Sequence, residues 1–156
     1  MRRLTLFPIA LLVLACAKGD APPADTAAAT GMVAPATLSL SQLAGKWDVR
    51  AMREGSDSTL VSYVLTATGD RDGWSMSFPN RPEPVALRVV DVAGDSVIVE
   101  AGPYESVLRP GVQVSTRTVN RLQDGKLIGS TVARYSGPNA GADTVLNIRS
   151  EGTRAN

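Results

Sequence analysis

The sequence predicts an all-β fold, a single antiparallel up-and-down barrel of eight strands, and three observations point there. Beyond Gly45 apolar residues no longer recur at helical spacing; valine, threonine and aromatic residues come in short runs instead. Clusters of Gly, Asp, Asn and Pro separate these runs about every 10 to 15 residues, as turns separate antiparallel strands. Several runs alternate: Trp74, Met76 and Phe78 share one face and Ser75 and Ser77 the other, and Val61, Tyr63, Leu65 and Ala67 repeat the device. One face of each strand is therefore buried and the other wet. A domain of roughly 115 residues built this way buries about two-thirds of its extended surface, enough for one core. Another small β-barrel, or an open sheet, fits the same pattern.

The first residues carry an address. Met1-Arg2-Arg3 is basic, and Leu4 to Leu14 is an apolar run interrupted only by Thr5 and Pro8. That run is shorter than the roughly 20 residues needed to span a bilayer. A basic start, a short apolar stretch and a small residue before a processing point describe an export signal over residues 1–15. The only cysteine of the chain, Cys16, follows directly. Val13-Leu14-Ala15-Cys16 resembles the lipobox of bacterial lipoproteins, in which the cysteine becomes the mature N-terminus. That resemblance implies a diacylglycerol on the thiol and an acyl chain, such as palmitate, on the freed amine, so the implied partner is a lipid membrane held through Cys16. At about 0.8 kcal/mol per buried methylene, two or three long chains anchor far more firmly than one myristoyl group. Ala17, where an Asp would resemble an inner-membrane retention signal, implies the outer membrane facing the periplasm. A cleaved signal with an incidental cysteine is the plainer alternative.

With Cys16 acylated no disulfide is possible, so the fold must hold by its core. Sixteen Lys and Arg stand against 15 Asp and Glu. This balance supports neither a nucleic-acid footprint nor a basic membrane-binding face. Residues 16–37 carry the cysteine and then Ala, Pro, Thr and Gly with little to bury, the composition of a flexible, disordered linker. About 20 such residues reach about 25 Å as a coil.

The folded domain is expected over residues 38–156. Ser39 caps one short helical turn that Gly45 ends. Strands are expected at 46–53, 59–68, 73–78, 85–92, 96–101, 111–121, 126–136 and 143–152. The turns at 69–73, 92–96 and 122–126 are short and built on Asp and Gly, suited to tight hairpins. The connections at 54–58, 79–84, 102–111 and 137–142 tend to be longer and richer in proline. In a meander the two sets fall on opposite ends, one tightly closed and one a loop-lined mouth.

Gly45-Lys46-Trp47 on a first strand after a helical turn, followed by an eight-strand meander, looks like the lipocalin and wider calycin barrels. The resemblance implies that Trp47 plugs the closed end and that an arginine of the last strand packs across it. Arg149 is the expected position, with Arg154 as a substitute. A cation over an indole contributes about 0.5–2 kcal/mol.

Catalytic signals are scarce. The chain has no histidine, hence no imidazole base or ligand, and it shows no nucleophile elbow, Walker loop or dinucleotide fingerprint. Asp70 and Asp72 lack the further oxygens of a calcium loop and read as turn residues. No cofactor or metal is expected, and no enzyme activity. Candidate ligand-binding residues are those of the interior and mouth: Tyr63, Trp74, Met76, Phe78 and Tyr135 inside, with Arg81, Tyr104 and Arg109 on the long loops, positioned to cap an anionic or amphiphilic ligand. Gly129, Thr131 and Ala133 on the seventh strand leave interior space in this reading. Two functions follow: a membrane-anchored protein whose barrel binds a small hydrophobic or amphiphilic ligand, or an interaction lipoprotein that contacts an envelope complex through its exterior or loops. A Ser, Lys or Asp hydrolase is a third and weaker option. An interior of about 300 Å³ or more favours carriage, and a packed one favours interaction.

Overall fold

The structure, a computed structural model, describes residues 37–156. The export signal, Cys16 and the linker before residue 37 lie outside the described residues. One helical turn, α1 (Leu40–Leu43), precedes eight strands: β1 (Gly45–Arg53), β2 (Thr59–Ala67), β3 (Trp74–Ser77), β4 (Val85–Ala93), β5 (Ser96–Glu105), β6 (Gln113–Gln123), β7 (Lys126–Ser136) and β8 (Val145–Arg154). Each strand pairs antiparallel with the next, and β8 pairs with β1, so the sheet closes into an up-and-down barrel as expected. Closure removes the free edges that an open sheet of this size would expose.

The short and long connections do separate. The β2–β3, β4–β5 and β6–β7 turns share one end with α1, and the four other connections share the opposite end. The closed end is solid: Leu43, Trp47, Trp74 and Val97 are the largest fully buried side chains. Backbone bonds tie it together, Leu38 donating to the Gly94 carbonyl at 2.8 Å and Ala155 to the Lys46 carbonyl at 3.0 Å. Asp70 serves the turn through its backbone carbonyl, which accepts a hydrogen bond from Trp74 Nε1 at 2.8 Å.

The arginine across Trp47 is Arg154, not Arg149. Register decides this: Trp47 lies opposite Arg154, whereas Arg149 lies opposite Met52, five residues nearer the mouth. The Arg154 guanidinium stands 4.1 Å over the Trp47 ring, donates to the Gln42 carbonyl at 2.6 Å and also donates to the Ala44 carbonyl. Trp47 Nε1 in turn donates to the Leu43 carbonyl at 2.8 Å. Gly45 suits this position through its backbone, whose φ of +127° strains any L side chain, and a Cβ there would also push against the Arg154 guanidinium 2.6 Å away. Arg149 instead points outward near the mouth and binds Asp57 and the Ser56 carbonyl.

One strand, β5, runs well past its expected end. Gly102-Pro103 reads as a breaker, yet β5 continues through it to Glu105, with a register shift against β6 between Ala101 and Tyr104. A bulge accommodates proline because the unpaired residue needs no ladder donor. Gly102 has φ +103°, and a Cβ there would lie 2.5 Å from the Val114 carbonyl oxygen. No other residue type fits.

Candidate functional site

Above the solid base the barrel keeps a small chamber beside a second buried cluster that includes Val114, Tyr135 and Leu146. Alternation along β1, β2, β6, β7 and β8 turns Ala51, Tyr63, Thr116, Thr118, Thr131, Ala133 and Ser150 inward, and these with Phe78, Tyr104 and Tyr135 line a chamber of about 60 Å³. Its lower layer is hydroxylated. Thr118 and Thr131 Oγ1 atoms lie 2.8 Å apart in a hydrogen bond, and the Tyr63 phenol lies beside the Ser150 hydroxyl and the Tyr104 phenol beside that of Thr116. Ring and methyl surfaces make up the remaining wall. Such a lining suits a mainly apolar, uncharged group with at most one or two hydrogen-bonding atoms.

Burial governs the protonation of Tyr63. Loss of solvent pushes its phenol from 10.0 up to about 12; the neighbouring Tyr104 adds to the rise and the Ser150 hydroxyl partly opposes it. Tyr104 shifts upward too, again chiefly by burial. A folded-state pKa above the unfolded one means stability is fully present below pH 10 and falls as pH rises from 10 to 12. Tyr63→Phe is therefore expected to lose less stability than wild type between pH 9 and pH 11.5 in urea titrations. Equal losses in the two proteins would contradict this assignment.

The roof of the chamber is the loop between β5 and β6, residues 106–112. Its Val107 and Leu108 side chains cover the cavity. The loop holds its own shape: Ser106 Oγ accepts from the Leu108 and Arg109 amides at 3.1 Å each, Ser106 N donates to the Val112 carbonyl at 2.8 Å, and Glu105 Oε1 accepts from Gly111 N at 3.0 Å. Two arginines then fasten it to its neighbours. Arg109 donates to the Asp143 carbonyl at 2.7 Å and the Ala140 carbonyl at 3.2 Å, both on the β7–β8 loop, with its guanidinium 4.1 Å over the Tyr135 ring. Arg81, on the β3–β4 loop, donates to the Glu83 and Glu105 carbonyls at 3.2 Å each and lies 5.8 Å from the Tyr104 ring centre.

Each expected site residue therefore has a place. Tyr63, Phe78, Tyr104 and Tyr135 meet around the chamber. Trp74 and Met76 belong to the packed base beneath it. Arg81 and Arg109 rim the mouth as expected, but they bond to loop carbonyls as latches rather than pointing freely at a ligand. Gly129 does not open space: Asn120 and Ser150 fill it, a Cβ on Gly129 falling 2.8 Å from Asn120 Oδ1 and nearer still to Ser150 Oγ. Thr116, Thr118 and Ser150 escaped the sequence reading, although period-two alternation along β6 and β8 places them inward.

A scan against family models and searches of curated proteins and of solved structures return no match to this chain.

Proposed function

We propose that the chain is a lipid-anchored protein of the bacterial cell envelope whose barrel receives the apolar end of a small amphiphile beneath the 106–112 loop. The observation that carries this reading is the contrast between the two halves: a base filled by tryptophans and, above it, a small hydroxyl-layered chamber to which the mouth loop contributes Ser106, Val107 and Leu108. The lipobox-like Val13-Leu14-Ala15-Cys16 supplies the anchor. With the loop closed, about 60 Å³ holds a few waters and is well below the roughly 300 Å³ of an ordinary ligand pocket. Binding is thus coupled to withdrawal of the loop, and the ligand takes the place of Val107 and Leu108.

That same small volume favours a second reading, an interaction lipoprotein with no interior ligand. Against it, Val145 is the one exposed large hydrophobic among the described residues, so the wall offers no broad apolar patch. Lipid analysis of protein extracted from membranes separates the two. Under our reading an amphiphile co-purifies at about one per barrel, and palmitate label is present in the wild-type chain and absent from Cys16→Ser. Label without a bound amphiphile sinks carriage and leaves the interaction reading; no label sinks the anchor.

A further inference from the structure

The near-neutral composition hides a segregation of charge. Among the described residues, ten of thirteen Lys and Arg lie on strands, whereas eight of thirteen Asp and Glu lie outside them. The wall of the barrel is thus basic and its two ends acidic, which an overall balance of charge cannot reveal. The excess is greatest on β6 and β7, whose strand residues include Arg117, Arg121, Lys126 and Arg134 and no acid.

On this wall lies a groove of about 480 Å³ that shares only Thr116 with the lining of the chamber. Its lining includes small residues, Ala86, Gly102 and Ser115. No side chain can fill the groove from Gly102, because the β5 bulge presses that residue onto the backbone of Val114 and Ser115. Arg88, Arg117 and Arg134 also line it. Arg88 reaches Glu100 Oε2 at 2.6 Å and Arg117 binds Oε1 of the same carboxylate. One carboxylate therefore holds two guanidinium groups, and Arg134 forms no ion pair among the described residues. The cluster retains a surplus of two positive charges, all three arginines carry planar donor forks, and the Ser115 hydroxyl lies in the same groove.

We propose that this groove binds a phosphate group, with Arg117 and Arg134 as its principal donors and Arg88 completing the clamp. Guanidinium forks suit phosphate oxygens because they give paired, charge-assisted hydrogen bonds, and a phosphate dianion matches the surplus charge. The group is either free phosphate or the headgroup of an anionic lipid. The inference is independent of the chamber reading.

Arginine Nε signals of the full chain in nonionic micelles, followed by NMR, test it. Titration with inorganic phosphate is expected to shift Arg88, Arg117 and Arg134 saturably and leave Arg50, on β1, unmoved. Adding phosphatidylglycerol to the micelles, with phosphatidylcholine as the control, reads the lipid source. Saturation with phosphate alone assigns a soluble ligand, and shifts specific to phosphatidylglycerol assign a headgroup. R134Q should weaken either form of binding about tenfold and R134K by less, since lysine keeps charge but loses the fork, while R50Q should change nothing. Absence of saturation in both arms, or equal losses in R134Q and R50Q, overturns the proposal.

Discussion

Trp47→Ala is expected to destabilise the barrel by about 3–5 kcal/mol, the usual range for removing a fully buried tryptophan. The position makes the high end of that range reasonable. Trp47 is wholly buried, its indole N–H satisfies the Leu43 carbonyl, and its ring carries the Arg154 guanidinium. Removing it leaves a cavity at the closed end and undoes the contact that seats α1 and the end of β8 together. Arg154→Met keeps the bulk of the side chain but deletes the stack and two hydrogen bonds to carbonyls, at about 2 kcal/mol. The two changes touch one another, so they should be strongly non-additive, Arg154→Met costing far less in the Trp47→Ala background. Urea unfolding of the four proteins, followed by circular dichroism, measures the coupling. Simple additivity would show that Arg154 acts through something other than the indole and the turn it covers.

Arg109→Ala is expected to loosen the mouth without weakening the base. The side chain joins two loops through a pair of carbonyl acceptors and covers Tyr135. With allowance for its partial exposure, these contacts are together worth about 2 kcal/mol, or roughly a 30-fold change in local opening. Amide hydrogen exchange should speed up by that order in residues 106–112 and 137–144, while amides beside Trp47 and Trp74 exchange at the wild-type rate. Uniform acceleration across the barrel would mean that Arg109 supports global stability rather than the roof.

Much of this architecture is legible from residue order alone, because alternation and turn chemistry are local. Trp74, Met76 and Phe78 mark an inward face on their own spacing, and the Asp-Gly turns identify the closed end before any pairing is known. What escapes is set by contacts between distant segments. Arg154 rather than Arg149 crosses Trp47 because of the β1–β8 register, and both arginines sit on the same strand with no local feature to choose between them. Gly129 suggests empty space, but the strands on either side place Asn120 and Ser150 in it. Arg81 and Arg109 resemble free ligand-steering charges, since the carbonyls that accept from them have no signature in the sequence. Gly102-Pro103 resembles the end of a strand because a bulge and a break use the same residues.

Opening of the chamber beneath residues 106–112 to take an apolar group is read out by an amide-resolved titration of the chain from Ala17 onward with octanoate. Wild type and Ala133→Leu are run in parallel. Ala133 lines the chamber and is buried, so the three added carbon atoms occupy the space a ligand would use without touching the mouth latches. Saturable shifts are expected in wild type, confined to the 106–112 loop and the chamber-lining segments of β6, β7 and β8, with at least a tenfold loss of affinity in Ala133→Leu, about 1.4 kcal/mol. No saturable shift in wild type, or equal affinity in the filled variant, would contradict it.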